Sequence, residues 1–340
     1  MSQSFDVAVL GATGAVGSTV IEILEQREFP VGKLYALASK RSAGETLMFR
    51  GKPVMIEDAD LFDWTKVKLA FFAAGGSVSA ELAPRATAAG VVVIDKTSQF
   101  RYEPDIPLIV PEVNGHLIGQ YTQRNIIACP NCSTIQLVVA LKPIHDAVGI
   151  DRLNIATYQA VSGTGKAAIE ELVQQTAQLL NGKGADSKVY PKQIAFNVLP
   201  QIDSFQDNGY TKEEMKLVWE TQKILGDDSI RVNATAVRVP VFYGHSEAVA
   251  VETRAKLSAE EATKLLKKAP GVKVLDSRKP GGYATPVTEA AGEDAVFVSR
   301  IREDISHPNG LNLWIVSDNV RKGAALNSVQ IAERLVKEYF

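Results

Sequence analysis

The chain has 340 residues, 46% of them hydrophobic and 22% charged, which is typical of a folded protein with more than one domain. Its net charge of -2 provides no basic surface for nucleic acid or an acidic membrane, and no apolar run reaches the roughly 18 residues that a membrane helix needs. The first residues lack a signal-peptide pattern and there are only two cysteines, so we expect a cytoplasmic protein without a disulfide framework.

The first predicted element is a strand that leads through a glycine turn into a helix. An apolar run over 7–10 predicts a buried strand, and apolar residues at helical spacing follow it (Val16, Val20, Ile23 and Leu24). Between them stand Gly11, Gly14 and Gly17, where the backbone can approach a pyrophosphate and the helix N–H groups can bind it. The pattern predicts nucleotide binding, with a tight strand–helix connection as the alternative.

The second predicted strand, over 33–39, ends in a basic loop. Dinucleotide sites for NAD usually have an acidic residue near this position, which binds the ribose 2′-hydroxyl. This chain instead has Ser39, Lys40, Arg41 and Ser42, which suit a 2′-phosphate. The loop therefore favours NADP over NAD, unless it is merely a solvated basic loop.

Two further apolar strands complete the pattern of a doubly wound parallel sheet. One runs over 69–74 and breaks at Gly75-Gly76, and the next ends near Asp95. Arg101 follows in a polar segment and, from the sequence alone, is best interpreted as a solvated surface charge. At the far end of the chain, apolar residues at helical spacing predict a helix that returns to this domain (Ala325, Val329, Ile331, Ala332 and Leu335).

Cys129 and Cys132 form a C-x-x-C pair that allows three interpretations. A zinc site needs more ligands, and the four histidines are too scattered to supply them, so we expect no metal. A redox pair usually opens the first helix of a small domain, whereas this pair lies downstream of a nucleotide fold. The third interpretation is a single nucleophile: Cys132 falls at the start of a predicted helix, which stabilises a thiolate, while Cys129 is a buried small residue.

Three polar residues farther along the chain are candidates for a site. Gln159 lies in an apolar strand, where a structural hydrogen bond explains it as well as a functional one. Glu213 and Lys216 lie three residues apart on a helix opened by a capping box of Thr211 and Glu214, and the spacing favours an ordinary surface pair.

Arg238 and His245 belong to a pair of predicted apolar strands joined by a turn. Arg238 interrupts the first strand and needs an anionic partner if it is buried. His245 lies at the turn among small residues and is the best of the four histidines as a general acid or base. A thiol, a histidine and a nicotinamide site together suggest thioester chemistry coupled to hydride transfer.

The motifs "GATGAVG", "ASKRSAG", "FFAAGG", "NCSTIQ", "YQAVSGTG", "YTKEEMK", "RVPVFYGHSE" and "WIVSDNVRKGAALN" occur in this order over nearly the whole chain. In this it resembles the bacterial aspartate-β-semialdehyde dehydrogenase family. The resemblance implies NADPH-dependent reductive dephosphorylation of L-aspartyl-4-phosphate to L-aspartate-4-semialdehyde, on the route to lysine, diaminopimelate, methionine, threonine and isoleucine. It also implies an α/β chain with a doubly wound Rossmann-type NADP-binding domain and an α+β catalytic and dimerisation domain.

The resemblance further implies a role for each site residue. Cys132 would be the nucleophile, His245 the acid/base and Gln159 the residue that orients the substrate. Arg238 would bind the substrate carboxylate and Glu213 its amine, which reverses the surface interpretation of the helix pair. The phosphate site would consist of Arg101, Asn131 and Lys216. The cofactor site would include Gly11, Thr13, Gly14, Ala15, Val16, Ser39, Arg41, Ser42, Ser162, Gly163 and Asn319.

By the same resemblance, residues 1–127 with 319–340 would form the NADP domain and 128–318 the catalytic domain. In the family the latter domain also forms a dimer interface, so the resemblance implies a homodimer. The nearest alternative is N-acetyl-γ-glutamyl-phosphate reductase, whose substrate has a blocked amine and no use for Glu213. Glyceraldehyde-3-phosphate dehydrogenase and a nucleotide-binding protein without catalytic activity are weaker alternatives.

Overall fold

The computed structural model describes residues 4–340, which form two compact units. The first contains residues up to Pro130 together with Ala324–Phe340, and the second contains Asn131–Gly323. These boundaries lie a few residues beyond positions 127 and 318, which the resemblance implied. Within residues 4–340, no helix is both long and apolar enough to cross a membrane.

The first unit is built on a sheet of seven strands in the order β3-β4-β2-β1-β5-β6-β7. The strands are β1 (Phe5–Leu10), β2 (Val31–Ala38), β3 (Thr46–Phe49), β4 (Lys52–Asp58), β5 (Leu69–Phe72), β6 (Val92–Asp95) and β7 (Ile126–Ala128), and the helices between them are α1 (Ala15–Gln26), α2 (Gly76–Ala88) and the short α3 (Pro111–Asn114). Neighbouring strands are parallel except for the β3–β4 hairpin at one edge. The strand order reverses at β1, which confirms the doubly wound fold and marks where such sheets bind nucleotides.

The second unit is built on a mixed sheet of six strands in the order β11-β12-β13-β10-β8-β9. The strands are β8 (Ile150–Gln159), β9 (Arg231–Arg238), β10 (His245–Thr253), β11 (Val272–Val274), β12 (Val296–Glu303) and β13 (Gly310–Ser317), and the helices are α4 (Cys132–Val148), α5 (Lys166–Leu180), α6 (Lys212–Leu225) and α7 (Ala259–Lys268). Helix α4 packs against α6 and α7 as well as β10 and β13. The first residue of α4 and the last residues of β8 and β9 are all predicted site residues.

The last helix, α8 (Asn327–Tyr339), belongs to the first unit although it follows the second in sequence. Its apolar residues Val329, Ile331 and Leu335 share one buried core with Val7 and Val9 of β1. The predicted return of the chain is therefore present, and the first unit is discontinuous in sequence.

Candidate active site

Helix α4 begins at Cys132 because Asn131 caps it. The Asn131 Oδ1 accepts a hydrogen bond from the Ser133 N–H at 2.9 Å, which satisfies one of the amides at the helix start. The next residues, from Ser133 to Leu141, are all buried, so this end of the helix is fixed in the interior. Cys132 itself is half-buried, as a nucleophile that meets a substrate should be.

Cys129 is a different kind of thiol. It is completely buried, its Sγ lies 3.3 Å from the Ser328 Oγ, and burial raises the pKa of the Cys129 thiol. Neither cysteine forms a disulfide. The environment of Cys129 is that of a packed core residue.

Glu213 of α6 collects three hydrogen bonds in the interior. Its Oε1 accepts from Asn131 Nδ2 at 2.9 Å and from Gln159 Nε2 at 3.0 Å, and its Oε2 accepts from Lys216 Nζ at 2.9 Å. Burial alone would raise the pKa of Glu213, but the Lys216 ammonium and these hydrogen bonds outweigh burial and lower it to about 2. Glu213 is therefore an anion at any ordinary pH.

Lys216 joins Glu213 to a carboxylate that the sequence did not reveal. Its Nζ lies 2.9 Å from Glu213 Oε2 and 2.9 Å from Asp203 Oδ2. Burial lowers the pKa of Lys216, but the two carboxylates prevail and raise it. The surface interpretation of this helix pair was wrong, because both residues lie on the face of α6 that is covered by the rest of the second unit.

Gln159 ends strand β8 with its amide in the same cluster. Its Nε2 donates to Ser133 Oγ and to Glu213 Oε1, whereas its buried Oε1 has no partner within residues 4–340. The side chain thus makes structural hydrogen bonds on one side and leaves an acceptor for a ligand on the other.

Arg238 ends strand β9 and is almost fully buried. Its Nη1 donates to the Ala160 carbonyl at 2.7 Å, and its guanidinium lies 5.9 Å from the centre of the Tyr190 ring. Its Nε is buried without a hydrogen bond, and no carboxylate within residues 4–340 forms a salt bridge with it. A buried guanidinium without an anion is costly, so the arrangement favours an anionic ligand here.

His245 opens strand β10 and contacts the same backbone position as Arg238. Its Nδ1 accepts a hydrogen bond from the Ala160 N–H at 3.0 Å, while its Nε2 is buried and unpartnered within the described chain. Burial and the charge of Arg238 lower the pKa of His245 to about 3, so the ring is neutral at physiological pH.

Asn319 holds the two turns that flank this group. Its Nδ2 donates to Ser162 Oγ at 3.0 Å, and its Oδ1 accepts from the Gly244 N–H at 2.9 Å. The predicted site residues Ser162 and Asn319 are therefore in direct contact.

Gly163 allows the side chains of Arg238 and His245 to lie close to its backbone. A Cβ on Gly163 would lie 3.2 Å from Arg238 Nη1 and 3.4 Å from His245 Nε2. The second unit thus joins Asn131, Gln159, Glu213 and Lys216 by hydrogen bonds, and it places Arg238, His245 and Gly163 side by side.

The glycine turn of the first unit has the shape of a dinucleotide cradle. Gly11 has a φ of 83°, and a Cβ there would lie 2.8 Å from the Ala73 carbonyl oxygen. A Cβ on Gly17 would lie 2.1 Å from the Gly11 oxygen. Thr13 lies in this turn, and α1 begins with Ala15 and Val16 after Gly14, which caps it without a side chain. These residues fit a pyrophosphate at the helix N-terminus.

The loop after β2 presents no acidic residue at its start. Ser39, Lys40 and Arg41 are exposed there and Ser42 is half-buried. Cations and hydroxyls at the end of the second strand fit the 2′-phosphate of NADP.

Arg101 is buried rather than solvated, which contradicts the surface interpretation. Its Nε donates to the Thr97 carbonyl at 3.1 Å and its Nη2 to the Lys96 carbonyl at 2.9 Å. Asp95 fixes this loop, because its carboxylate accepts from the Thr97 N–H, the Thr97 hydroxyl and the Ser79 hydroxyl. Backbone carbonyls thus orient the Arg101 side chain, and the sequence pattern could not reveal these contacts.

The sequence also missed Glu220 and Ser133. Glu220 is completely buried and its Oε2 accepts the Asn131 N–H at 2.6 Å, so that α6 holds the cap of α4 at two points. The only available signal for Glu220 was its spacing of seven residues from Glu213, which places both on one helix face.

Within residues 4–340 no group of three or more His, Cys, Asp or Glu side chains is arranged to hold a metal ion.

Comparisons with known proteins identify the family. Residues 6–121 match the model "Semialdehyde dehydrogenase, NAD binding domain" and residues 141–322 match "Semialdehyde dehydrogenase, dimerisation domain". The aspartate-semialdehyde dehydrogenase of Shewanella violacea is 64% identical over 340 residues, with 100% of both chains covered. The chain belongs to the aspartate-semialdehyde dehydrogenase family.

Solved structures of the family agree. Aspartate semialdehyde dehydrogenase II of Vibrio cholerae, complexed with ASA, matches with a TM-score of 0.98 at 60% identity over 100% of both chains. The Candida albicans aspartate semialdehyde dehydrogenase with NADP matches with a TM-score of 0.77 at 26% identity over 98% of both chains. The protein is thus an NADP(H)-dependent oxidoreductase of amino-acid biosynthesis, and the alternative activities considered above are set aside.

Proposed function

We propose that the second unit carries out the thioester chemistry of aspartate-semialdehyde dehydrogenase with Cys132 as nucleophile. One observation carries the proposal. Three buried polar atoms, Gln159 Oε1, Arg238 Nε and His245 Nε2, have no partner within residues 4–340. Buried polar groups in folded proteins are nearly always paired, so a cluster of exceptions marks the place of a polar ligand.

The proposed substrate is L-aspartyl-4-phosphate, whose carboxylate, ammonium and phosphate groups are each matched by side chains of opposite charge. Arg238 binds its α-carboxylate, for which a guanidinium gives a two-pronged fit. Glu213, an anion with Lys216 beside it, binds the α-ammonium. Lys216, Arg101 and Asn131 bind the phosphate.

Cys132 then attacks the acyl phosphate carbonyl, and phosphate leaves as the thioester forms. The N–H groups at the start of α4 stabilise the thiolate and the developing oxyanion. Gln159 orients the reacting carbonyl, and His245 acts on its oxygen. When bound, NADPH supplies the hydride that reduces the thioester to the aldehyde.

The proposed cofactor residues are those that the resemblance implies. Gly11, Thr13, Gly14, Ala15 and Val16 bind the pyrophosphate of NADP, and Ser39, Arg41 and Ser42 bind its 2′-phosphate. Ser162, Gly163 and Asn319 are the remaining proposed cofactor residues. We further propose a cytoplasmic homodimer, assembled through the second unit, whose matching model describes a dimerisation domain. Residues 1–127 with 319–340 act as the NADP domain and 128–318 as the catalytic domain.

The substrate is tested in the reverse reaction. We expect the enzyme to reduce NADP when given aspartate semialdehyde and inorganic phosphate, because Arg238 and Glu213 together match a free amino acid. N-acetylglutamate semialdehyde is the control, since its blocked amine cannot pair with Glu213. NADP reduction with the control substrate alone would refute the substrate assignment.

Cofactor choice is tested by Arg41→Ala. We expect the variant to lower kcat/KM for NADPH by about tenfold and to leave that for NADH nearly unchanged, because a charge-assisted bond to an exposed phosphate is lost. Lys33→Ala is the matched control, because Lys33 is a cation near the start of β2, whereas Arg41 lies in the loop that follows the end of that strand. Equal use of NADH and NADPH by the unmodified enzyme would contradict the 2′-phosphate site.

A further inference from the structure

The irregular segment over 181–211 places an aromatic ring beside the Arg238 side chain. This segment connects α5 to α6 within the second unit. The centre of the Tyr190 ring lies 5.9 Å from the guanidinium carbon of Arg238, and Tyr190 is half-buried. Farther along the segment, the Leu199 N–H donates to the Arg238 carbonyl at 2.9 Å and the Leu199 carbonyl accepts from the Arg238 N–H at 2.8 Å. The segment therefore contacts both the backbone and the side chain of Arg238.

We propose that Tyr190 is a positioning residue, whose ring holds the Arg238 guanidinium in the orientation that a substrate carboxylate needs, and that Glu171 of α5 holds Tyr190 in place. The role of Arg238 in this statement rests on the proposed function. The contact between Tyr190 and Arg238 does not, so the two claims can fail separately.

Glu171 fixes the backbone at Tyr190 and just before it. Its Oε2 accepts from the Lys188 N–H at 2.7 Å and from the Val189 N–H at 2.5 Å, and its Oε1 accepts from the Tyr190 N–H at 3.3 Å. Glu171 is almost fully buried, and hydrogen bonds from amides to a carboxylate are stronger than those between neutral groups. The irregular segment is thus attached to α5 at this point.

Gln175, one turn farther along α5, fixes the same segment on both sides of Tyr190. Its Nε2 donates to the Asp186 carbonyl at 3.0 Å, and its Oε1 accepts from the Ile194 N–H at 2.9 Å and the Ala195 N–H at 3.1 Å. The Tyr190 ring also packs against a buried apolar cluster that includes residues of α5. The position of the ring relative to α5 is therefore set by the fold itself.

The Tyr190 hydroxyl fixes the far end of the ring. It donates to Thr164 Oγ1 at 3.1 Å, and Thr164 belongs to the turn that contains Ser162 and Gly163. Burial raises the pKa of Tyr190 above its usual value, against the opposing effects of Arg238 and of this hydrogen bond. The phenol is therefore neutral at physiological pH and leaves the charge of Arg238 for a negatively charged group of the substrate.

The orientation of the guanidinium matters because its fit to a carboxylate is two-pronged. Both N–H···O bonds form only when the two groups share a plane, so a guanidinium that rotates before binding loses entropy on binding. The Ala160 carbonyl holds Nη1 of Arg238 at 2.7 Å, and an aromatic ring beside the guanidinium limits its rotation about that contact. The buried Nε has no partner within residues 4–340 and can donate to a carboxylate oxygen.

The positioning role is tested by the selectivity between two aldehydes in the reverse reaction. Aspartate semialdehyde has the α-carboxylate, and 3-aminopropanal is the same molecule without it. The measured quantity is the ratio of kcat/KM for the first aldehyde to kcat/KM for the second. We expect Tyr190→Leu to lower this ratio about tenfold, mainly through the KM for aspartate semialdehyde. Tyr190→Phe keeps the ring and should restore the ratio to within about threefold of the unmodified enzyme.

Two results would overturn the inference. One is an unchanged ratio in Tyr190→Leu, whether both aldehydes are affected equally or not at all, since a merely structural role lowers both values together. The other is a Tyr190→Phe variant as deficient as Tyr190→Leu, because the ring would then not be the cause.

Glu171→Gln tests the attachment to α5. The substitution places an amide donor opposite backbone donors, so we expect the segment to loosen and the ratio to fall about threefold or more. Glu170→Gln is the matched control, since Glu170 is the exposed neighbour on the same helix. Urea unfolding checks that both variants are folded. An unchanged ratio in Glu171→Gln, or an equal fall in Glu170→Gln, would overturn the role of Glu171.

Arg238→Lys separates this inference from the proposed function. Lysine keeps the charge but cannot form the two-pronged contact, so we expect the ratio to fall about 100-fold. A ratio that Arg238→Lys leaves unchanged would refute the binding of the carboxylate by Arg238, and with it the proposed substrate site. A fall in Arg238→Lys with no change in Tyr190→Leu would refute only the positioning role of Tyr190.

Discussion

Replacing Cys132 with alanine is expected to lower kcat by about 10,000-fold or more, because a covalent mechanism has no substitute for its nucleophile. The thiol is half-buried at the start of α4, so its removal leaves only a small gap, and the fold should persist. Turnover is measured in the reverse direction with aspartate semialdehyde, phosphate and NADP, and circular dichroism checks the fold.

Cys129→Ala is the matched control for this experiment. Its sulfur is completely buried, so the substitution should cost about 1 kcal/mol of stability through a small cavity and leave kcat within about twofold. Loss of turnover in Cys129→Ala with activity kept in Cys132→Ala would show that the nucleophile had been assigned to the wrong sulfur.

Glu213→Gln is expected to lower kcat/KM for aspartate semialdehyde by about 100-fold, mainly through KM. The substitution removes the charge that would bind the substrate ammonium and weakens the hydrogen bonds from Gln159 and Asn131. Glu214→Gln is the control: Glu214 is also buried, but it accepts from the Thr211 and Ala236 N–H groups and so supports only the fold. An equal rise of KM in the control would contradict a specific role of Glu213.

Glu213→Gln also tests the electrostatics of the site, through the pH dependence of the free energy of unfolding. The pKa of Glu213 falls from the ordinary value of 4.5 to about 2 on folding, so its stabilising effect is fully present above pH 4.5 and is lost as the pH falls toward 2. Lowering the pH over this range should cost the unmodified protein about 3 kcal/mol that Glu213→Gln does not lose. Urea unfolding at several pH values measures the difference.

Elements with strong local signals were predictable from the sequence. The β1–glycine–α1 unit, the start of α4 at Cys132 and the capping box of Thr211 and Glu214 all occur where the patterns placed them. In each case one short stretch contains both the apolar period and the residue that starts or ends the element. Boundaries of this kind are set by neighbours in sequence.

Burial of charged residues was not predictable in this way. Arg101, Glu213 and Lys216 look like surface residues in their own segments, and only the resemblance assigned them to a site. The partner of Glu213, Asn131, lies 82 residues away along the chain, and no local pattern identifies a partner at that distance. The β3–β4 hairpin was also missed, because each of its strands has only one buried residue and so shows no clear alternation.

The position of α8 in the first unit has a consequence for how the protein is made. Asn327 Nδ2 bonds to the Ile109 carbonyl at 3.1 Å across 218 residues of sequence. During translation, the β1–β7 sheet therefore lacks the part of its core that α8 supplies until the whole second unit has been synthesised. All strands and helices of the second unit are synthesised before α8 completes the first unit. The second unit is therefore able to fold before the first. A chaperone that shields the nascent sheet would act in this interval.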